Sequence, residues 1–350
     1  MKIRENVLLS NLTTMRLGGP ARYVIEIEEP NEIKNAHLFA KEKGLPIFIL
    51  GGGANSLGHD AGYQGVIIKN KILGITSSPA TKASPHNSHE RMADTDETLI
   101  TAMGGETWDD VVAYACDLNL TGIEALSKIP GLAGAAPVQN IGAYGQDVSE
   151  TFVSAYAYDL KTDAFVTLKK SDFNFSYRKS ILNTSEKNRY FIVSITLKLN
   201  TGEMSHPFYG SIEKYLLEHN ITDYSPSSIR EIVSTIRAEK LPDPEEKASA
   251  GSFFKNVYLS EKEAKIAEEK GLPVYHGKDG LKINSGWLIE KSGLKGSLIH
   301  GIRVSDKVAL VLINESAKSY ADLAAARAEI IETVKAKFGF TLEQEPNEIL

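Results

Sequence analysis

The sequence predicts an α+β fold in which glycine-rich segments and a mostly antiparallel sheet are followed by a separate α/β domain. Three observations carry this. Two uncharged glycine-rich stretches, GGGANSL (51–57) and PGLAGAAPVQNIGAYGQ (130–146), both lie before residue 150. Strand-like runs joined by short turns follow between residues 151 and 199, as antiparallel neighbours require. Near residue 225 the pattern turns to helical periods alternating with a strand, the mark of a further α/β unit.

The 350 residues allow two or three domains and a large core. At 42% hydrophobic and 24% charged the composition is that of a globular protein. A net charge of −6 argues against a nucleic-acid surface, because phosphate contacts need clustered Lys and Arg. Cys116 is the single cysteine, which excludes intramolecular disulfides and thiolate metal sites and fits a reducing compartment. The apolar patch at Val7 to Leu9 is too short for a secretion signal, and no run is long enough to cross a bilayer, so a cytoplasmic location is expected.

In chain order, residues 22–28 are rich in β-branched side chains and read as a strand. Residues 31–43 place Ile33, Ala36 and Ala40 on one helical face, stopped by Gly44. A short strand at 46–50 runs into GGGANSL, and 66–69 is another strand. No helix follows GGGANSL directly, which speaks against a P-loop or a Rossmann unit. Residues 76–96 are polar, proline-containing and without period, and read as a surface loop or linker. A strand at 97–103, a Gly104-Gly105 turn and a helix at 107–119 come next. After the second glycine stretch, strands are expected at 151–160, 164–168 and 190–199. Ser228 and Glu231 have capping-box spacing at the head of a helix that stops at LPDP (241–244). Helices at 260–270, 285–291 and 320–338, a strand at 308–313 and a strand-like tail at 340–345 complete the chain.

The stretch 130–146 can neither face water as a charged loop nor pack as a helix. Glycine and alanine remove the side chains that hold a ligand away, so it reads either as a main-chain N–H cradle for a phosphate-bearing cofactor or as a buried crossover. In SAGSFFKN (249–256), Phe253 and Phe254 anchor a turn; its Ser252 either does chemistry or satisfies backbone groups. Arg178 sits among Phe175, Tyr177, Ile181 and Leu182, a setting in which a guanidinium wants a carboxylate unless it simply reaches the surface. Arg237 and Lys240 are three apart on a helix end, as a diphosphate clamp or a solvated pair would be. Glu343 and Glu345 alternate with Phe340 and Leu342, so one of them can face a site. No histidine spacing suits a metal, and His86 and His89 fall in the 76–96 loop. Together these features suggest a dinucleotide held between two lobes, with a substrate domain added.

In order and spacing, TTMRLGGPA (13–21), GGGANSL, IPGLAGAAPVQNIGAYG, FSYRKSI, KLPDP, AGSFFKN, GWLIEKSGLKG (286–296) and LVLINE (310–315) resemble the UDP-N-acetylenolpyruvoylglucosamine reductases over nearly the whole chain. PFYGS (207–211) is similar to the tyrosine loop of the family's first type. The resemblance implies non-covalent FAD in a two-lobed fold of the vanillyl-alcohol-oxidase (PCMH-like) type. It implies lobes at 1–75 and 76–224, a strand at 340–350 returning to the second lobe, and a substrate domain at 225–339. NADPH would be the reductant and the enolpyruvyl ether of UDP-N-acetylglucosamine the substrate, reduced to UDP-N-acetylmuramate for peptidoglycan synthesis. No metal and no nucleic-acid, membrane or obligate protein partner is implied.

By the same resemblance, Ser252 is the proton donor, and Arg178 with Glu345 steadies the substrate carboxylate. Tyr144, Tyr209, Arg237, Lys240, Asn256, Tyr275 and Lys295 bind substrate. FAD is held by Gly51, Gly52, Gly53, Ala54, Asn55, Ser56, Gly134, Ala135, Val138 and Ile141, with alanine at 54 and 135 leaving the phosphates to main-chain N–H groups. Asn347 stands where an arginine is frequent. The alternatives are a flavin oxidase of the same fold, tethered at His59 or Cys116, and a nucleotide-binding module without chemistry.

Overall fold

The computed structural model describes residues 1–80 and 97–350. His86 and His89 therefore lie outside the described residues. The chain divides into two compact units: Met1–Lys2, Ile25–Gly51 and Ile68–Arg237 form the first, and Ile3–Val24, Gly52–Ile67 and Ala238–Leu350 the second.

The first unit is built on an antiparallel sheet ordered Ala164–Lys169, Phe152–Asp159, Tyr190–Thr201, Glu97–Met103 and Ile75–Pro79, with Leu120–Thr121 added on Tyr190–Thr201. Alternation decides which face is buried: Ile195, Leu197 and Leu199 point into the core from the long central strand. Against them the helix Trp108–Asp117 packs Trp108, Val111, Val112 and Ala115, and the Trp108 indole donates to the Leu126 carbonyl at 3.1 Å. Each such side chain contributes about 1.5–3 kcal/mol of burial. A smaller core joins the helices Gly210–His219 and Pro226–Lys240 through Phe208, Ile212, Leu216, Ile229, Val233 and Ile236. The helix Glu32–Glu42 buries Ile33, Ala36 and Ala40, as its period implies.

The second unit holds a sheet ordered Ser249–Ser252, Val311–Asn314, Ile302–Val304 and Leu298–Ile299, and a three-stranded one ordered Val257–Leu259, Gly280–Ile283 and Tyr275–Gly277. The helices Ser285–Lys291 and Tyr320–Phe338 cover them, burying Leu288, Ile289, Leu323, Ala326 and Ile330. Met15, Leu17 and Leu57 from the N-terminal third join this core.

Several expectations are corrected. Residues 76–79 belong to an exposed edge strand, Ile75–Pro79, whose polar side chains face water and hide its pairing from a pattern reading. The helix Gly210–His219 was not expected, because it opens on Tyr209 with no side-chain cap. Ser228 is not the cap of the following helix: Pro226 already occupies its first turn, and Ser225 Oγ accepts from the Ser228 N–H at 3.3 Å. Up to Arg237 that helix belongs to the unit of the antiparallel sheet, so residue 225 does not open a new unit. The tail 340–345 makes only an isolated bridge, Phe254 to Gln344; the strand is Asn347–Ile349. It pairs in parallel with Ser56–Gly58, within the expected first lobe and not the second. No described helix is long and apolar enough to cross a membrane.

Candidate active site

In the first unit, the stretch 130–146 folds into tight turns that use its own donors. Gly134 N–H bonds Gly104 O at 3.0 Å, Ala135 bonds Leu132 O at 2.9 Å, and Val138 and Ile141 bond Ala135 O and Ala136 O, each at 3.1 Å. At these four positions the N–H groups expected to cradle a phosphate are thus taken up within the fold, which leaves their carbon and carbonyl atoms to touch a ligand. Gly134 sits in a crowded place, since a Cβ there would lie 3.0 Å from the Gly104 backbone. A Cβ on Gly51 would lie 2.9 Å from the Ala135 Cβ, which brings two of the expected cofactor positions together.

The far end of the stretch is strained. Asn140, Tyr144 and Arg178 all have left-handed backbones, with φ of +46°, +47° and +54°. Non-glycine residues keep such values only where surroundings over-determine them, a feature of functional sites. The surroundings are visible: Arg178 Nη2 donates to Gly142 O at 2.7 Å, Ser180 Oγ donates to Val138 O at 2.7 Å, and the Asn140 side-chain oxygen accepts from Ser149 N–H at 3.0 Å. Glu124, fully buried and overlooked in the sequence, accepts from Gln146 Nε2 at 3.1 Å, Gly122 N–H at 2.6 Å and Thr121 Oγ1 at 2.7 Å. Its only local signal is an acidic residue within the apolar GIEAL that opens GIEALSKIPG.

Tyr144 meets Tyr209 edge to face at 5.7 Å and 89°. Beside them the helix Pro226–Lys240 delivers Arg237. Burial pushes the Tyr144 phenol up, with Arg237 opposing; burial likewise pulls the Arg237 guanidinium down, with Tyr144 opposing. Arg237 Nε is shut off from solvent without a hydrogen-bond partner, and among the described residues no carboxylate pairs with this guanidinium. Two turns earlier Arg230 makes the contrast: its fork meets Asp109 at 2.6 and 2.9 Å. Burial alone would raise Asp109, yet Arg230 and Lys128 hold its carboxyl far below the usual range. That pair pins the helix, and the helix then presents Arg237.

In the second unit, GGGANSL wraps the N-terminal segment. Thr14 N–H donates to Gly53 O at 3.2 Å, and a Cβ on Gly53, at φ +76°, would stand 2.0 Å from Leu12 O. Among the described residues the N–H groups of Gly52, Gly53 and Ala54 have no protein acceptor. Asn55 O accepts from Asn347 N–H at 3.0 Å, and Ser56 begins the strand Ser56–Gly58.

Ser252 ends the strand Ser249–Ser252 opposite Val311, half-buried, with Phe253 and Phe254 fully enclosed after it. Phe253 N–H bonds Leu310 O and Phe253 O accepts from Glu345 N–H, both at 2.9 Å. Ser252 and Glu345 are thereby fixed to the same short piece of backbone. Glu343 points away to Lys255 Nζ at 2.6 Å. Asn256 accepts from Ser285 N–H at 3.2 Å at the head of the helix Ser285–Lys291. Lys240 and Tyr275 are exposed, and Lys295 bridges Glu290 at 3.1 Å.

Neither candidate tether is available. The His59 ring stacks on Tyr320 at 3.7 Å with Nε2 3.2 Å from Glu348, and burial pushes the Cys116 thiol up to about 12. Among the described residues no cluster of His, Cys, Asp and Glu could hold a metal.

A family model described as an FAD binding domain matches residues 21–159, and one described as the UDP-N-acetylenolpyruvoylglucosamine reductase C-terminal domain matches residues 243–349. The chain is 36% identical over 342 residues to the UDP-N-acetylenolpyruvoylglucosamine reductase of Ralstonia nicotianae, covering 97% of this chain and 96% of that one. It is 35% identical over 349 residues to that of Neisseria gonorrhoeae, covering 99% and 97%. The crystal structure of the Thermus caldophilus enzyme shares the fold, with a TM-score of 0.65 at 21% identity over 99% of both chains. The α+β class with an FAD-binding fold therefore stands, and the chain belongs to the UDP-N-acetylenolpyruvoylglucosamine reductase family.

Proposed function

We propose that this chain uses NADPH to reduce the enolpyruvyl ether of UDP-N-acetylglucosamine to UDP-N-acetylmuramate in peptidoglycan synthesis, and that it does so in the cytoplasm. The observation that carries the reading is Arg237: a guanidinium beside Tyr144 whose buried Nε has no partner and which no carboxylate pairs among the described residues. A buried cation is tolerated when a ligand supplies the countercharge, and the diphosphate of a UDP-sugar does so.

The residues present fit FAD. Gly52, Gly53 and Ala54 keep main-chain donors for its phosphates, while Gly51, Gly134 and Ala135 offer close-packed, side-chain-poor surface and Val138 and Ile141 partly buried apolar side chains. Asn55 and Ser56 complete the loop. Bound there, FAD would supply the hydride chemistry that links NADPH to C3 of the enolpyruvyl group.

Everything else falls to the chain. Ser252 gives a proton to C2. A serine hydroxyl is a weak acid, so the transfer depends on placement, which the Phe253 and Phe254 anchors and the strand pairing supply. Arg178 meets the substrate carboxylate as charge grows on it, since its fork suits two parallel hydrogen bonds; Glu345 acts with it. Arg237, Lys240 and Lys295 balance the diphosphate, and Tyr144, Tyr209, Asn256 and Tyr275 hold the remainder of the substrate.

Ser252→Ala tests the chemistry. Rapid mixing should show NADPH bleaching the bound FAD at the normal rate, while colour returns on adding substrate more slowly by about 10²- to 10⁴-fold. Normal turnover in this variant would refute the assignment.

A further inference from the structure

The last strand is gripped by side chains that the reaction does not use. Glu348 Oε1 accepts from the Tyr320 hydroxyl at 2.5 Å and from Arg327 Nη1 at 2.7 Å, and its Oε2 lies 3.2 Å from His59 Nε2. The His59 ring lies flat on Tyr320. Arg327 also donates to the side-chain oxygen of Gln344, so a single guanidinium bonds residues on both sides of Glu345. Asp60, next to His59, accepts from the N–H groups of Tyr320 and Ala321 at 2.7 and 3.1 Å, locking the head of the helix Tyr320–Phe338.

What this grip stabilises is a weak element. Asn347–Ile349 is three residues long and among the described residues pairs only with Ser56–Gly58; so short a two-stranded pair is marginal by itself. Yet that element sets the place of Glu345, whose N–H bonds Phe253 O at 2.9 Å, one residue after Ser252. Half-buried charged groups lose hydration, and here their hydrogen bonds offset part of that loss by fixing a geometry.

We propose that Glu348, Arg327, Tyr320 and His59 form a latch that positions Glu345 beside the Ser252–Phe253 backbone. It rests on the reading of Glu345 as a residue of the reaction. The four act through Glu345, so they are positioning residues and not catalytic ones.

The test uses the full-length, FAD-loaded protein with Glu348→Ala, Arg327→Met, Glu345→Gln and the double variant Glu345→Gln/Glu348→Ala. Hydrogen exchange at the amides of Glu345 and Asn347 should quicken at least about tenfold in the two latch variants, with the first unit unchanged. Reoxidation by substrate should slow by about 10- to 100-fold, the effect of a displacement near 1 Å, with NADPH reduction and KM for substrate unaltered. Glu348→Gln, which keeps its acceptor, should recover most of the rate. The double variant should be no slower than Glu345→Gln alone. Multiplied effects in the double variant, or wild-type rates in both latch variants beside a slow Glu345→Gln, overturn the latch alone. A Glu345→Gln enzyme with normal turnover overturns the role of Glu345 and the latch with it. Should Glu348→Ala fail to fold, Tyr320→Phe removes one hydrogen bond and must show the same split between half-reactions.

Discussion

Replacing Arg237 by methionine separates a binding cation from a structural one. Arg230 and Arg237 lie on one face of the same helix, seven residues apart. Arg230 is forked on Asp109, whereas Arg237 has a buried, unpartnered Nε. Methionine keeps much of the aliphatic volume and removes the charge. In the ligand-free protein that removes an unpaired cation, so the melting temperature should hold or rise. In the complex it removes one or two charge-assisted hydrogen bonds to the diphosphate, about 1.5–3 kcal/mol each. At about 1.4 kcal/mol per factor of ten, KM should rise by roughly 10- to 10⁴-fold. Arg230→Met should do the reverse, leaving the mostly buried Asp109 to the half-exposed Lys128 alone and costing about 2–4 kcal/mol of stability. Steady-state kinetics with the UDP substrate, titration with UDP and thermal melts give the three quantities. An Arg237→Met enzyme with unchanged KM and lowered stability would show that the guanidinium supports the fold and binds nothing.

Two further outcomes follow from the geometry. Burial alone would raise Glu348, but Tyr320, Arg327 and His59 hold its carboxyl down at about 2, against an ordinary 4.5. A depressed carboxylate stabilises the fold above its unfolded pKa and loses that contribution as pH falls through the folded one. Melts between pH 5 and pH 2 should therefore lose on the order of 2 kcal/mol from this group after solvent screening, and Glu348→Gln should flatten that part of the profile; equal slopes would contradict the account. Gly53→Ala should abolish stable FAD binding or folding, because the new Cβ meets Leu12 O at 2.0 Å in a left-handed backbone; a yellow, normally melting variant would show that the loop has room to move.

How far the sequence could be read depended on how local the determinant was. The helix Tyr320–Phe338 was visible end to end, since Ser319 and Asp322 form a capping box and Gly339 closes it at φ +81°. The helix Gly210–His219 carries no such punctuation and was missed. The alternation of Phe340, Leu342 and Glu345 pointed to a strand slightly too early, because the true strand is chosen by Ser56–Gly58, nearly the whole chain away. The site divides in the same way. Gly53, Ser252 and the Phe253–Phe254 anchor stood out as local composition. The closure of the amides at Gly134, Ala135, Val138 and Ile141 did not, since glycine content is the same whether donors face a ligand or fold back. The standing of Arg237 was equally hidden, because Tyr144 encloses it from far away in sequence and a lone arginine at a helix end reads as solvated. Glu348 gave no signal, as its partners come from residues 59, 320 and 327.

The most direct measurement is anaerobic turnover by the purified, FAD-loaded protein. Beyond the one equivalent that reduces the bound FAD, NADPH should be consumed only when the UDP-linked enolpyruvyl ether is added, one equivalent per substrate, with the product heavier by two hydrogens. A protein that takes up FAD but leaves this substrate unchanged in the presence of NADPH would contradict the account.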